Sequence, residues 1–289
     1  MSENEKNGLS VIIPAFNAEN TIGKTLTSVV RSLDDIPYEI IIIDDGSSDG
    51  TKDIVEEFRI NNQLVSLLYI YQGNQGVSAA RNNGVNAATY QLISFLDADD
   101  IYLKDFKKFY LFAIDNKNRY DFFSSSYFIN SKKRIRKHSS KNVFIEFLDN
   151  QFFCTNSVIV TKKVFEKERF RIGFKYGEDV DLWLRLIIRY RYIHLNDYFV
   201  SEYNFIPKLH DSRYHPFITH SIIELNLSED ESNAVWRRFT RRSNLISSFK
   251  RECSVAELLS YKSLVCIAAY CFGEKGYERL WKIKSIIRK

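Results

Sequence analysis

The stretch Gln91 to Asp100, QLISFLDADD, constrains this chain more than any other. Residues Gln91 to Leu96 are apolar or β-branched enough for one buried strand, and three carboxylates follow: Asp97, Asp99 and Asp100. A hydrophobic strand that delivers carboxylates at its carboxyl end belongs in an open α/β sheet, where ligands sit beyond the strand ends. Alternation along extended backbone would send Asp97 and Asp99 to the same side. Two hard oxygen ligands on one side favour Mg²⁺ or Mn²⁺, above all when a diphosphate supplies further oxygens. An isolated Asp-x-Asp is more often a polar loop capping the next helix, so the neighbours must decide.

Leu9 to Pro14 is a short β-branched run and the expected first strand. Asn17 or Asn20 is placed to cap a helix whose Ile22, Leu26, Val29, Val30 and Leu33 share one face. Tyr38 to Ile43 reads as a second strand that stops in the turn-rich run Asp44 to Gly50. A helix over Thr51 to Arg59, a strand over Leu67 to Tyr71 and a helix over Val77 to Ala88 lead to the strand at Gln91. This alternation predicts a Rossmann-like, mostly parallel sheet with helices on both faces. Later residues are less regular. Asp121 to Asn130 reads as a strand, Lys132 to His138 as a basic exposed hairpin or loop, and Phe152 to Val160 as an apolar run. Gly177-Glu178-Asp179 opens a helix carrying Val180, Leu182, Trp183, Leu186 and Ile187. Beyond Ser201 the chain reads as loop, and after Ile222 as helices. The expected plan is an α/β domain over residues 1–225 and a basic helical extension over 226–289.

The 22 Phe and 17 Tyr could line a sugar or lipid site, but a Phe-rich core is the reading preferred. Cys154, Cys253, Cys266 and Cys271 form no C-x-x-C pair and no zinc spacing, so they are read as thiols in a reducing compartment. The polar start MSENEKNG does not read as a signal peptide. The longest apolar run, Leu258 to Phe272, is interrupted by Tyr261 and Lys262 and falls short of the ~20 residues that span a bilayer. From Asn233 to Lys289 there are 13 Lys and Arg against 4 Asp and Glu, a net +9 on a chain of +5, which leaves the body at −4. Such a tail suggests a phosphate-bearing partner, lipid head groups or nucleic acid.

Three carboxylate sites close predicted strands or open a helix: Asp44 with Asp45, Asp97 with Asp99 and Asp100, and Glu178 with Asp179. In a parallel sheet the first two share one edge. Crowded carboxylates repel, so a cation or hydrogen-bond donors must compensate them. A nucleotide diphosphate with a divalent ion meets both demands. There is no G-x-G-x-x-G after the first strand, no G-x-x-x-x-G-K-[ST] and no G-x-S-x-G.

Five pieces in order resemble family 2 glycosyltransferases of the GT-A fold: Ser10 to Asn17, Ile43 to Ser47, Asn74 to Asn82, Phe95 to Asp100, and Gly177 to Trp183. The resemblance runs from about Leu9 to Arg189. It implies that Pro14, Ala15, Phe16, Asn17, Asp44, Asn74 and Ala98 border a nucleotide-sugar donor, with Asp45 bonding uracil. It implies that Asp97 contacts ribose or metal-bound phosphate and that Asp99 ligates Mn²⁺ or Mg²⁺, with His210 or His215 as a further ligand. Arg81 is read either as a cation near the donor or as a helix-surface ion pair. Asp179 is the candidate general base, with Glu178 the runner-up, and Trp183 is expected to meet the acceptor.

Relatives that polymerise long chains carry membrane-spanning helices and Q-x-x-R-W, and this sequence shows neither. The expectation is an inverting transfer of a hexose, UDP-linked, to a glycan or lipid-linked glycan of a bacterial-type surface polymer. A cytoplasmic protein peripheral to an anionic membrane follows, with no nucleic-acid partner. A nucleotidyltransferase would need a basic loop near the first strand, and Pro14 to Asn20 holds no Lys or Arg. A non-catalytic sugar-binding module would not need Asp97, Asp99 and Asp179 together.

Overall fold

The computed structural model describes residues 6–134, 142–150, 152–173 and 177–204. The first half alternates as its periodicities predict: β1 (Lys6–Ala15), α1 (Ile22–Ser32), β2 (Tyr38–Asp44), α2 (Thr51–Asn61), β3 (Leu67–Tyr71), α3 (Val77–Ala87) and β4 (Tyr90–Phe95). Then come β5 (Ile101–Tyr102), α4 (Asp105–Asn116), β6 (Phe122–Ile129), β7 (Lys132–Arg134), α5 (Val143–Asn150), β8 (Val158–Thr161), α6 (Glu178–Arg189) and β9 (Tyr192–Tyr203).

One sheet has the order β3-β2-β1-β4-β8-β6-β9-β5, with β7 paired to β6. From β3 to β4 it is parallel. The chain steps outward from β1 to β3 and then returns to the far side of β1, so the order reverses between β1 and β4. A reversal of this kind opens a crevice beyond the carboxyl ends of the strands. The register puts those ends side by side, with Ala15 opposite Asp44 and Ile12 opposite Phe95.

Beyond β4 the sheet is mixed. β8 runs antiparallel to β4 and β6, β9 parallel to β6, and β5 antiparallel to β9. The parallel expectation therefore describes the first hundred residues and not the rest. Of the basic hairpin or loop expected over Lys132 to His138, the described part is β7, which pairs with β6 across a turn where Asn130 and Ser131 adopt φ 46 and 61, the left-handed pair that a two-residue hairpin turn uses. β9 corrects the loop reading past Ser201, because Ser201 pairs with Tyr102 and Tyr127 inside a strand that runs to Tyr203.

Ile40, Ile41, Ile42 and Ile43 are all 0% exposed, so both faces of β2 are covered and a continuous apolar run is what the strand needs. Each contributes about 1.5–3 kcal/mol through burial. Ile22, Leu26 and Val29 of α1 enter the same core. The helix starts after Thr21, and neither Asn17 nor Asn20 caps it. A Cβ on Gly84 would meet Ile12 Cγ2 at 2.3 Å, so α3 lies on β1 at a spacing that requires glycine. Among the described residues no helix is long and apolar enough to cross a membrane. The expected boundary near residue 225, His210, His215 and the basic stretch 226–289 lie outside the described residues.

Candidate active site

The crevice between β1 and β4 is built from three loops. The first leaves β1 at Phe16, which is 52% exposed, and Asn17, which turns to φ 51. Asn17 latches this loop to the next: its backbone N–H donates to Ser47 Oγ at 2.9 Å, and its Oδ1 accepts from Ser48 N at 2.9 Å. Pro14 and Ala15 are buried in the strand and form wall rather than surface.

The second loop carries Asp44 and Asp45, both buried. Asp44 accepts from Ser47 N at 2.7 Å and from the Tyr69 hydroxyl. Asp45 accepts from Gln72 Nε2 at 2.7 Å, Gln75 N at 2.8 Å and Gly76 N at 2.8 Å. Its carboxylate thereby fixes the exposed turn at Asn74 and Gln75 that opens α3. Gly46 sits at φ 86, and a Cβ there would lie 3.0 Å from Asn74 N, so this junction requires glycine.

The third loop follows β4, which ends at Phe95. Asp97 to Asp100 form a turn closed by Asp100 N–H to Asp97 O at 3.1 Å. A turn, not strand alternation, therefore sets the directions of these carboxylates. Asp97 is 29% exposed at its side chain, Asp99 is exposed and Asp100 is fully buried. Ala98 is buried, and its carbonyl and that of Asp100 face the Thr25 hydroxyl at 2.9 and 2.8 Å. Asp100 acts as a latch: its carboxylate accepts from the Asn156 amide and from Asn204 N at 2.7 Å. Burial, with the nearby Asp97 charge, pushes its carboxyl up to about 8.

Arg81 joins this loop to α6. It is 4% exposed, and its two terminal nitrogens reach Asp97 Oδ1 at 2.8 Å and Glu178 Oε1 at 2.9 Å. Its guanidinium lies 5.2 Å from the centroid of the Phe170 ring. Burial opposes its charge, but Asp97, Glu178 and Asp179 outweigh burial and raise its pKa above the ordinary guanidinium value. Arg81 is thus a buried bridge between Asp97 and α6, not a surface pair. Glu178 is pushed up by burial and by Asp179, with Arg81 opposing.

Asp179 accepts from Val180 N at 2.7 Å and from the Thr155 hydroxyl at 3.1 Å. Gly177 precedes it at φ 78, a left-handed start that lets α6 turn sharply off the preceding loop. Two residues on, buried Asp181 is gripped by Arg185 at 2.9 and 3.1 Å, and Arg185 also binds Glu168. Trp183 corrects the acceptor expectation. It is 1% exposed, stacked on Phe122 at 5.5 Å and edge-on to Phe170 at 5.8 Å, so it belongs to the aromatic core beneath the site.

Several residues of the site carry no motif. Thr155 and Asn156, at 4% and 1% exposure, interrupt the apolar run Phe152 to Val160 and connect two of the carboxylate groups. Polar residues inside an apolar run are the one signal that singles them out. Gln72, which positions Asp45, and Asn204, which grips Asp100, stand in no recognisable pattern. A groove of ≈ 1070 Å³ lies at the amino-terminal ends of β1 and β4, away from the crevice. Its Lys162 caps Ala88 O at 2.7 Å and its Lys163 pairs with Asp121 at 2.7 Å, so these cations serve the fold.

Asp97, Glu178 and Asp179 act on one buried guanidinium, which leaves surplus negative charge, and exposed Asp99 stands beside them. Asp97 engages Arg81 through Oδ1 alone. Among the described residues no three His, Cys, Asp or Glu side chains form a closed ligand set. The residues fit a divalent cation that arrives with oxygens of its own.

The family model described as Glycosyl transferase family 2 matches residues 10–174, more than half of the chain. An uncharacterized glycosyltransferase of Rickettsia conorii is 33% identical over 183 residues, covering 62% of this chain and 30% of the relative. This chain thus spans under a third of that relative's length. WfgD of Escherichia coli, named UDP-Glc:alpha-D-GlcNAc-diphosphoundecaprenol beta-1,3-glucosyltransferase, is 29% identical over 182 residues, 62% of this chain and 69% of its own. Staphylococcus aureus TarS 1-349 in complex with UDP-GlcNAc matches with a TM-score of 0.68 and 19% identity over 91% of this chain and 81% of TarS. The mannosyltransferase PcManGT of Pyrobaculum calidifontis, solved with GDP-Man and Mn²⁺, matches at 0.57 and 15% identity over 99% of this chain and 89% of its own. With its switch-point crevice and this match over more than half its length, the chain belongs to glycosyltransferase family 2 and has the GT-A fold.

Proposed function

We propose that this protein transfers a hexose from a nucleotide sugar, UDP-linked, to a sugar acceptor of a surface glycan, with inversion and with a divalent cation. The observation that carries the reading is the Asp179 carboxylate, bonded to Thr155 in the same short turn that holds Asp97 through Asn156. A carboxylate beside the donor crevice can accept the proton of an acceptor hydroxyl. As that oxygen bonds to the anomeric carbon, the bond from carbon to diphosphate oxygen breaks on the opposite face, and the nucleoside diphosphate leaves. Glu178, held by Arg81, is the less available base.

Pro14, Ala15, Phe16, Asn17, Asp44, Asn74 and Ala98 border the nucleotide in this reading. Asp45, an acceptor-only carboxylate, meets a base N–H. Asp97 and Asp99 would hold Mn²⁺ or Mg²⁺, with His210 or His215 as a further ligand, and would thereby supply the site with a charge that stabilises the departing diphosphate. The printed name of WfgD supports a UDP-hexose donor, a lipid-diphosphate-linked acceptor and a β-linkage. For such an acceptor the +9 stretch from Asn233 to Lys289 serves as contact with an anionic membrane surface.

A panel of UDP- and GDP-hexoses, scored for slow hydrolysis to free nucleotide with Mn²⁺, tests the reading. Release from a UDP-hexose is expected. Release from none overturns the donor class, release from GDP-hexoses alone overturns the nucleotide, and full release in EDTA overturns the metal.

A further inference from the structure

The turn formed by Thr155, Asn156 and Ser157 stands between the two halves of the site and touches both. Asn156 uses its amide in two directions: Oδ1 accepts from Asp97 N at 2.9 Å, and Nδ2 donates to Asp100. It therefore fixes the first and last residues of the donor-side loop together. The preceding residue, Thr155, donates its hydroxyl to Asp179 Oδ2 at 3.1 Å. The turn itself is stiff. Ser157 Oγ accepts from Cys154 N and lies 3.0 Å from Cys154 O, and Ser157 N also bonds Cys154 O at 3.0 Å. β8, which follows at Val158, is hydrogen-bonded into the sheet against β4 and β6.

All three turn side chains are buried, at 4%, 1% and 0% exposure, within an otherwise apolar run. A buried polar group is costly when left unpaired. Here the partners of Thr155 and Asn156 are the reacting site itself, so packing alone does not account for their polarity. Thr155 and Asn156 are consecutive on a turn locked at both ends. The separation between Asp97 and Asp179 is therefore constrained by one peptide unit and two short side chains, beside the Arg81 bridge from Asp97 to Glu178.

We propose that Thr155 and Asn156 are positioning residues that hold the donor-side loop 97–100 and the Asp179 carboxylate in register. The proposal rests on the reading of Asp179 as base. Asn156 acts on the donor side and Thr155 on the base side, so their loss is felt in different kinetic constants. Thr155→Val keeps the side-chain shape and removes the hydroxyl, which takes away the hold on Asp179 Oδ2 and leaves the bond from Val180 N to Oδ1. Misplacement of a reacting group by ~1 Å costs up to ~10² in rate.

The experiment measures hydrolysis of the UDP-hexose selected by the panel above, with UDP·Mn²⁺ binding followed by calorimetry and folding by thermal denaturation. Thr155→Val should lower kcat about tenfold or more, within that range, and leave UDP·Mn²⁺ affinity unchanged. Thr155→Ser should restore kcat. Asn156→Ala should instead weaken UDP·Mn²⁺ binding and raise KM. A Thr155→Val enzyme with wild-type kcat, or a Thr155→Ser enzyme as slow as Thr155→Val, overturns the proposal. Should Thr155→Val fail to fold, Thr155→Ala against Thr155→Ser decides by the same comparison. Asp179→Asn is run beside them. If it retains wild-type turnover, the base reading itself has failed; if it is slow while Thr155→Val is not, only the positioning proposal has failed.

Discussion

Replacing Arg81 with methionine keeps an aliphatic stem in place and removes the guanidinium that Asp97 and Glu178 share. Removing one partner of a buried ion pair costs about 3–5 kcal/mol, because the other charge stays behind unpaired. The two carboxylates do not share that cost equally. Asp97, at 29% exposure, turns toward water, whereas Glu178, at 13%, stays largely enclosed and takes most of it. The lost contact with Phe170 adds about 1 kcal/mol. A loss of about 4 kcal/mol at pH 8 is expected: about 3 from the lower end of the buried-pair range, because Asp97 hydrates, and about 1 from the ring contact.

The loss depends on pH with a definite sign. Burial and Asp179 raise Glu178 above its ordinary value, and Arg81 is the influence that opposes them. A carboxyl raised in the folded state keeps its proton where the unfolded chain has already lost it. Stability therefore falls as pH rises from the unfolded pKa through the folded one. Without Arg81 the folded value moves further up and the window widens upward. Arg81→Met should accordingly be less costly at pH 5 than at pH 8, because Glu178, raised further without Arg81, carries less charge at the lower pH. Asp100, pushed up to about 8, titrates in both proteins, so its contribution largely cancels in the difference. Urea unfolding of both proteins at pH 5 and pH 8 reads the effect, urea being uncharged where guanidinium chloride would screen the pair. An equal loss at both pH values, or less than about 1 kcal/mol at pH 8, would refute a buried bridge of the kind described for ion pairs.

Asp179→Asn keeps the shape and the partnership with Thr155 but cannot take a proton at neutral pH; turnover should drop by roughly 10² or more with donor affinity intact, and a drop of only a few-fold would move the role elsewhere. Asp99→Ala should abolish Mn²⁺-dependent turnover and weaken UDP binding without changing the thermal midpoint, and activity in the variant or in EDTA would sink the ligand assignment. Exchange of Arg237, Arg238, Arg241 and Arg242 for Gln should reduce flotation with anionic liposomes, each basic residue near such a surface being worth about 1 kcal/mol. Binding of the full chain should also fall as salt screens it, and no flotation of the unaltered chain at low salt would rule the contact out.

The parallel half of the sheet was legible because its signals are local. Runs such as Ile40 to Ile43 need no partner to be recognised, and the carboxylates at the ends of β2 and β4 follow from where such strands must stop. What escaped was set by distance along the chain. Arg81 meets Glu178 across 97 residues, and neither residue's neighbourhood announces the other. β9 escaped because its twelve residues mix Asn, Asp and Glu with aromatics and show no clean alternation. Trp183 shows the opposite failure: one helical step from the carboxylates, it looks like part of the site, yet its place on the inward face of α6 puts it among Phe95, Phe122 and Phe170. Asp97, Asp99 and Asp100 are three similar letters in a row of four, and the structure separates them into a bridge to Arg81, an exposed carboxylate and a buried latch. That separation comes from Asn156 and Asn204, which reach the loop from distant points in the chain. A motif thus names the carboxylates, while residues without a motif decide how each of them is placed.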